Sequence, residues 1–148
     1  MSYRVRVPDE TWDGLREQLA ADLRRVADRL RSMSETRLAG QPAPPERGGA
    51  PYHSRAGAAR AVAGTLADTA GALEAAASGT AYPGSAVIPE LGDLAAADQL
   101  QVTGNDLLAA LDLVAPDLEV TFGDLHPGPA RDGVARAARE LADLRRRL

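Results

Sequence analysis

The feature that most constrains the fold is the segment 91–114, LGDLAAADQLQVTGNDLLAALDLV, which carries two apolar faces. At about 100° per residue, a helix over this segment has one broad apolar face and one narrower apolar strip. The broad face contains Ala97, Leu100, Gly104, Leu107, Leu108, Leu111 and Val114. The strip contains Leu91, Ala95, Val102, Ala109 and Leu113. Because each apolar face favours a packing partner, the segment predicts a helix with neighbours on both sides.

A polar line separates the two apolar faces and consists of Asp98, Gln101, Asn105 and Asp112. A buried carboxylate needs a cationic partner, because an unpaired charge is costly away from water. Arg55 on the second predicted helix and Arg145 on the fourth are the candidate partners. Two interpretations stay open. The line bounds a pocket together with Tyr52, His53 and Arg55, or it is a solvated flank with structural ion pairs.

The composition favours an all-α fold in a single domain, residues 1–148. Aromatic residues make up only 3% of the chain, so the core has to be built from Leu, Val and Ala. Such a core favours helices over a β-sandwich. All 17 basic residues are Arg, which together with the abundant Ala and Gly indicates a GC-rich, bacterial genome.

Apolar stripes separated by Pro/Gly-rich breaks predict four helices, at about 9–38, 54–78, 91–114 and 130–148. Ser54 is a suitable N-cap for the second helix. Four prolines and three glycines predict an irregular loop over residues 39–53. The expected architecture is an antiparallel four-helix bundle.

Short non-helical segments are expected beside the helices. SYRVRVP at the N-terminus alternates and is compatible with a short extended segment. DLEVTF at 117–122 is compatible with another extended piece, and HPGP at 126–129 predicts a turn.

The second predicted helix has glycines seven residues apart, at Gly57, Gly64 and Gly71. Each glycine inside a helix costs about 1 kcal/mol relative to alanine, so three on one face suggest that another backbone approaches closely. The alternative is that the glycines only reflect composition bias. The candidate interface therefore combines these glycines with three residues of the narrower strip, Leu91, Val102 and Leu113.

Reactive constellations are not found in the sequence. The absence of cysteine excludes disulfides and thiolate chemistry. His53 and His126 have no helical partner histidine, and no phosphate-binding glycine motif is present. No catalytic residues, no metal and no cofactor are therefore expected. No signal peptide or membrane-spanning apolar segment is visible, so the expected compartment is the cytoplasm, without membrane contact.

Charge is distributed unevenly along the chain. Residues 83–130 contain eight acidic side chains and no basic one, whereas residues 131–148 contain six Arg and three acids. The two segments can attract each other within one chain or between two copies. Nucleic acid is not an expected partner for a chain with a net charge of −4.

YRVRVPDETWDGLREQL, near the N-terminus, resembles the opening of ribbon-helix-helix repressors, in which a strand precedes the first helix. The resemblance covers about seventeen residues and implies salt-sensitive DNA binding through Arg4 and Arg6. In that family a turn follows about a dozen helical residues. Here the apolar stripe continues through Leu23, Val26 and Leu30, which departs from the family pattern.

The sequence favours a non-catalytic helical bundle that acts through protein contacts, as a homodimer or homo-oligomer or with a partner protein. One alternative is a small-molecule-binding or enzymatic bundle with its pocket beside the polar line. A second alternative is a DNA-binding regulator that uses the YRVRV segment.

Overall fold

The computed structural model describes residues 7–44, 52–82, 84–123 and 127–148, with side chains from Trp12 onward. Within these ranges the chain is mostly helical, as predicted, and has one small two-stranded sheet. Its elements are α1 (Val7–Arg31), α2 (Glu35–Ala39), α3 (Arg55–Ala77), α4 (Ala96–Ala110), β1 (Glu119–Thr121), β2 (Pro127–Pro129) and α5 (Ala130–Arg147). The predicted N-terminal extended segment falls mainly on residues 1–6, outside the described part, and Val7 already belongs to α1.

The single helix predicted over 9–38 is wrong beyond residue 31, because two helices occupy this stretch. Ser34 is the N-cap of α2, and its Oγ accepts a hydrogen bond from the backbone N–H of Arg37 at 3.2 Å. A capping serine at this point starts a new helix in a new direction. Leu38 of α2 is buried and anchors the short helix to the core.

The second and fourth predicted helices are confirmed to within one residue at each end, as α3 and α5. Ser54 is the N-cap of α3, as predicted, and its Oγ accepts a hydrogen bond from Gly57 N–H at 2.9 Å. Regular helix therefore begins where a side chain satisfies a backbone donor that the first turn leaves free.

The third predicted helix is shorter than residues 91–114. Regular α-helix covers only α4, and 3-10 turns at Asp93–Ala95 and Leu111–Leu113 extend it at both ends. Gly92 has φ +97°, a backbone conformation outside the helical region, so the helix cannot begin before it. The broad apolar face is buried as predicted, with Leu100, Leu107 and Leu111 among the most deeply buried side chains.

The extended piece predicted at 117–122 is confirmed as β1, which pairs antiparallel with β2. The pairing aligns Val120 with Gly128. The turn predicted over 126–129 is wrong for 127–129, which form β2; His126 lies outside the described residues. Proline is tolerated in so short an edge strand because only one side needs backbone donors. Val120 is buried, which seats the ribbon on the core next to α3.

Four long helices pack pairwise around the core, with α1 and α3 each contacting α4 and α5. Two ion pairs show how α1 and α4 are oriented. Arg16 near the start of α1 pairs with Asp112 beyond the end of α4 at 2.5 Å, and Arg31 at the end of α1 pairs with Asp98 at 3.2 Å. These helices therefore run in opposite directions, as an antiparallel arrangement requires.

The connection between α3 and α4 returns along the whole length of α3. Tyr82 lies beside Gly71, and Ile88 lies beside Gly64. Arg60 near the start of α3 pairs with Asp93 just before α4, at 3.4 Å. Both helices therefore begin at the same end and run in the same direction, which differs from the antiparallel relation predicted for sequential helices. The difference arises because a long extended connection, residues 78–92, replaces the short loop that antiparallel neighbours use.

Candidate functional site

The outward side of α4 exposes large apolar side chains. The side chains of Leu91, Leu94, Val102 and Leu113 are 67%, 62%, 59% and 57% exposed. Together with the exposed Ala109, they are called the outer strip below. Three of them, Leu91, Val102 and Leu113, are interface candidates from the sequence. The apolar strip therefore faces outward, while the broad face of the same helix lies in the core.

The polar line of α4 is paired with α1. Asp98 binds Arg31 and Asp112 binds Arg16, while Gln101 Nε2 donates to Asn105 Oδ1 at 3.1 Å. Both carboxylates are exposed, and exposed pairs typically contribute about 0–1 kcal/mol. The line is thus a solvated flank with ion pairs, one of the two interpretations that the sequence left open.

The partners predicted for the polar line bind elsewhere. Arg55 Nη1 donates to the carbonyl oxygen of Arg37 at 2.9 Å, and Arg145 Nη1 donates to Asp22 Oδ1 at 3.1 Å. Tyr52 lies under the guanidinium of Arg147, 5.1 Å from its ring centroid, and His53 is exposed. Among the described residues, no hydrogen bond or ion pair joins Arg55, Tyr52 or His53 to the polar line.

A close approach of another backbone was predicted at the glycines of α3, and here other residues of the same chain lie beside them. A Cβ at Gly71 would lie 2.5 Å from Cε1 of Tyr82, and one at Gly64 would lie 3.9 Å from Ile88 Cγ1. At Gly57 the nearest atom is the capping Oγ of Ser54, at 3.0 Å. Residues 78–92 therefore cover part of the face that the sequence offered to another molecule.

Asp22 is a buried charge that the sequence analysis missed. Its side chain is 7% exposed, and its carboxylate pairs with Arg145 at 3.1 Å and with Arg25 at 3.8 Å. The signal was present, because Asp22 stands inside the apolar stripe of α1 between Leu19 and Val26. An acid within such a stripe predicts a partner on a neighbouring helix, here α5.

A cavity of about 330 Å³ lies between α3, the connection 78–92, the end of the β1 segment and α5. It is lined by polar side chains from α3, the connection and α5, and by the ring of Phe122 after β1. Three charged residues take part, Asp68, Arg136 and Glu140. This site could not be predicted from the sequence, because its residues come from segments that are far apart in the chain.

Asp68 fixes the wall of the cavity to α3. Its Oδ1 accepts hydrogen bonds from Tyr82 Oη at 2.8 Å and from the backbone N–H of Ala86 at 2.5 Å. Burial, together with the hydrogen bond to the Asp68 carboxylate and its charge, raises the pKa of Tyr82 to about 12. The hydrogen bond from this phenol to Asp68 holds the connection against α3.

Comparison with protein-family models, curated proteins and solved structures found no match to this chain.

The described ranges contain no group of three or more His, Cys, Asp or Glu side chains arranged to hold a metal ion. No helix in the same ranges is long and apolar enough to cross a membrane. Arg4 and Arg6, which the DNA-binding alternative requires, lie outside the described part of the chain.

Proposed function

We propose that this protein is a non-catalytic, cytoplasmic helical-bundle protein that associates with a second copy of itself through the outer strip of α4. One observation carries the proposal. In the described part of the chain, every exposed large apolar side chain lies between residues 87 and 118, and the outer strip holds four of them. The largest apolar surface of a protein is often functional, so this grouping of exposed apolar side chains supports a protein contact.

The packing of α4 supports this surface as the place of contact. In the proposed architecture, a four-helix bundle with one crossover connection, α4 lies between α1 and α3. Its broad face is buried by those neighbours, and Val102 and Ala109 remain on the side that faces away from them. A second copy would cover the side of this helix that the described part of its own chain leaves open.

Charge favours a second copy over a strongly basic partner. Asp98 and Asp112 flank the outer strip, and each is already paired with an arginine of α1. A cationic partner would have to compete with Arg31 and Arg16 for these carboxylates. Because these two carboxylates are already ion-paired, the apolar strip gains most from another apolar strip.

The size of the strip predicts a weak dimer. With its two 3-10 turns, α4 is about 34 Å long, and one helix face is about 10 Å wide. Two such faces would bury on the order of 700 Å², below the roughly 1,200 Å² of standard interfaces. The expected association is therefore reversible, with a dissociation constant in the micromolar range or above.

Nuclear magnetic resonance spectra recorded over a range of protein concentrations show where the contact lies. On concentrating the protein, the amide signals of Val102 and Ala109 should shift or broaden, while those of Arg139 on the exposed side of α5 should stay in place. Shifts confined to α5, or to the start of α3, would contradict the proposed surface. Spectra that do not change with concentration would favour a different partner protein over a second copy.

A further inference from the structure

The cavity beside Asp68 has the size of a small-molecule site. Its volume is about 330 Å³, far above the roughly 10–15 Å³ that a single water needs, so it has room for a small organic ligand. Ligand pockets in proteins begin at about 300 Å³ and present a few polar groups around apolar walls. The buried ring of Phe122 supplies the apolar wall here.

Charges of both signs face this cavity without binding one another. Asp68, Arg136 and Glu140 all line it, and no salt bridge joins any two of them. Arg136 and Glu140 stand one helical turn apart on α5, a spacing at which opposite charges often pair. Within the described residues, Asp68 Oδ2 also accepts no hydrogen bond, because both donors bind Oδ1.

The walls that carry these charges are held in place. The guanidinium of Arg136 lies 5.9 Å from the ring centroid of Phe122. That ring packs directly on Gly133, where an added Cβ would lie 2.7 Å from Cε2. On the opposite wall, Tyr82 and Ala86 fix the carboxylate of Asp68. A site with fixed charges loses little entropy when a ligand binds.

We propose that this cavity binds a small zwitterion of the amino-acid class. The carboxylate of this ligand would bind the guanidinium of Arg136, and the ammonium of the ligand would bind Asp68 Oδ2 and Glu140. A ligand with only one sign of charge would leave either Arg136 or the two carboxylates without a partner. Charge-assisted hydrogen bonds at both ends would select a molecule that carries both charges.

The experiment uses the whole chain and a set of the common L-amino acids, each added at millimolar concentration, with nuclear magnetic resonance and thermal unfolding as readouts. At least one amino acid should shift the amide signals of Gly123 and Gly133 and raise the unfolding temperature. Its N-acetyl and methyl-ester derivatives, which each lack one charge, should bind at least tenfold more weakly.

Two arginines of α5 give a matched pair of variants. Arg136→Gln should weaken binding on the order of tenfold to a hundredfold, because it removes a charged hydrogen-bond donor. Arg139→Gln should leave binding unchanged, because Arg139 is exposed and does not line the cavity. Glu140→Gln, a second variant on the surface of α5, should weaken the binding of the free amino acid more than the binding of its N-acetyl derivative.

No binding by any amino acid would overturn the proposal, and so would equal affinity of the wild type and Arg136→Gln. Equal affinity for the free amino acid and its N-acetyl derivative would also overturn it, because Asp68 and Glu140 would then not recognise the ammonium group. Self-association through α4 is a separate claim, because none of the cavity residues belongs to the outer strip.

Discussion

Leu23 of α1 packs directly onto the backbone of α4 at Gly104, where a Cβ would lie 2.5 Å from Leu23 Cδ1. The two helices can approach this closely because glycine has no side chain at the crossing. Leu23 is almost completely buried, so it has little room to move away. The same contact fixes the rotation of α4 about its axis. Val102 lies nearly half a turn around the helix from Gly104 and therefore points outward.

Gly104→Ala should therefore destabilise the protein. Overpacking a core costs about 1–3 kcal/mol, while the better helix propensity of alanine returns about 1 kcal/mol. The expected net loss is about 1 kcal/mol in the free energy of unfolding, measured with denaturant.

Gly14→Ala is the matched control for that variant. Gly14 is an exposed helical glycine of α1, and nothing lies within 4 Å of the added Cβ. This substitution should raise stability by up to about 1 kcal/mol. Equal stability of the two variants would show that the crossing at Leu23 is not tight.

Asp22→Ala should cost about 1–2 kcal/mol, because it removes a hydrogen-bonded charge pair between α1 and α5. The partner Arg145 is about half exposed, which keeps the effect below that of a fully buried pair. Asp28→Ala removes an exposed pair with Arg31 and should change stability by less than about 0.5 kcal/mol. Chemical denaturation compares the two, and similar losses would argue against a structural role for Asp22.

Tyr82 should make the protein lose stability at high pH. Its pKa is raised from 10.0 to about 12 in the folded chain, so the folded state holds the phenolic proton more tightly than the unfolded state. The resulting stability is fully present below pH 10 and is lost as the pH rises through about 12. Ultraviolet titration of tyrosinate should show a late phase near that pH, and Tyr82→Phe should remove it. A late phase that survives in Tyr82→Phe would assign it to another tyrosine.

Local signals in the sequence were sufficient to predict most of the helices. Ser54 caps α3 where a capping residue was expected, and the broad face of α4 is buried as its periodicity predicts. Ser34 is also a capping residue, but the apolar stripe continues through Met33 and Leu38 across the break. Periodicity alone therefore predicted one helix where α1 and α2 are separate.

Contacts between segments that are far apart in the chain were harder to predict from the sequence. The partners of Asp98 and Asp112 lie on α1, about 70 to 100 residues away in sequence, and helix directions decide which arginines can reach them. The direction of α4 depends in turn on residues 78–92, an extended segment without a periodic pattern. The outer strip was predictable because it depends only on the spacing of residues within one helix.

Salt should strengthen self-association if apolar contact drives it. Two outer strips would bring exposed acids beside them, such as Asp106, closer together, and salt screens that repulsion. The apparent dissociation constant, measured by light scattering, should therefore fall as sodium chloride is raised. A marked rise would indicate that opposite charges hold the copies together.

Sedimentation of the wild type, Val102→Asp and Val87→Asp over a wide concentration range tests the central claim most directly. Val87 is 87% exposed but lies in the connection before α4, so it controls for the added charge alone. The wild type and Val87→Asp should rise from the 15.5 kDa monomer towards a dimer as concentration increases. Val102→Asp should remain monomeric. A wild type that stays monomeric at every concentration, or a Val102→Asp variant that associates as the wild type does, would contradict self-association through α4.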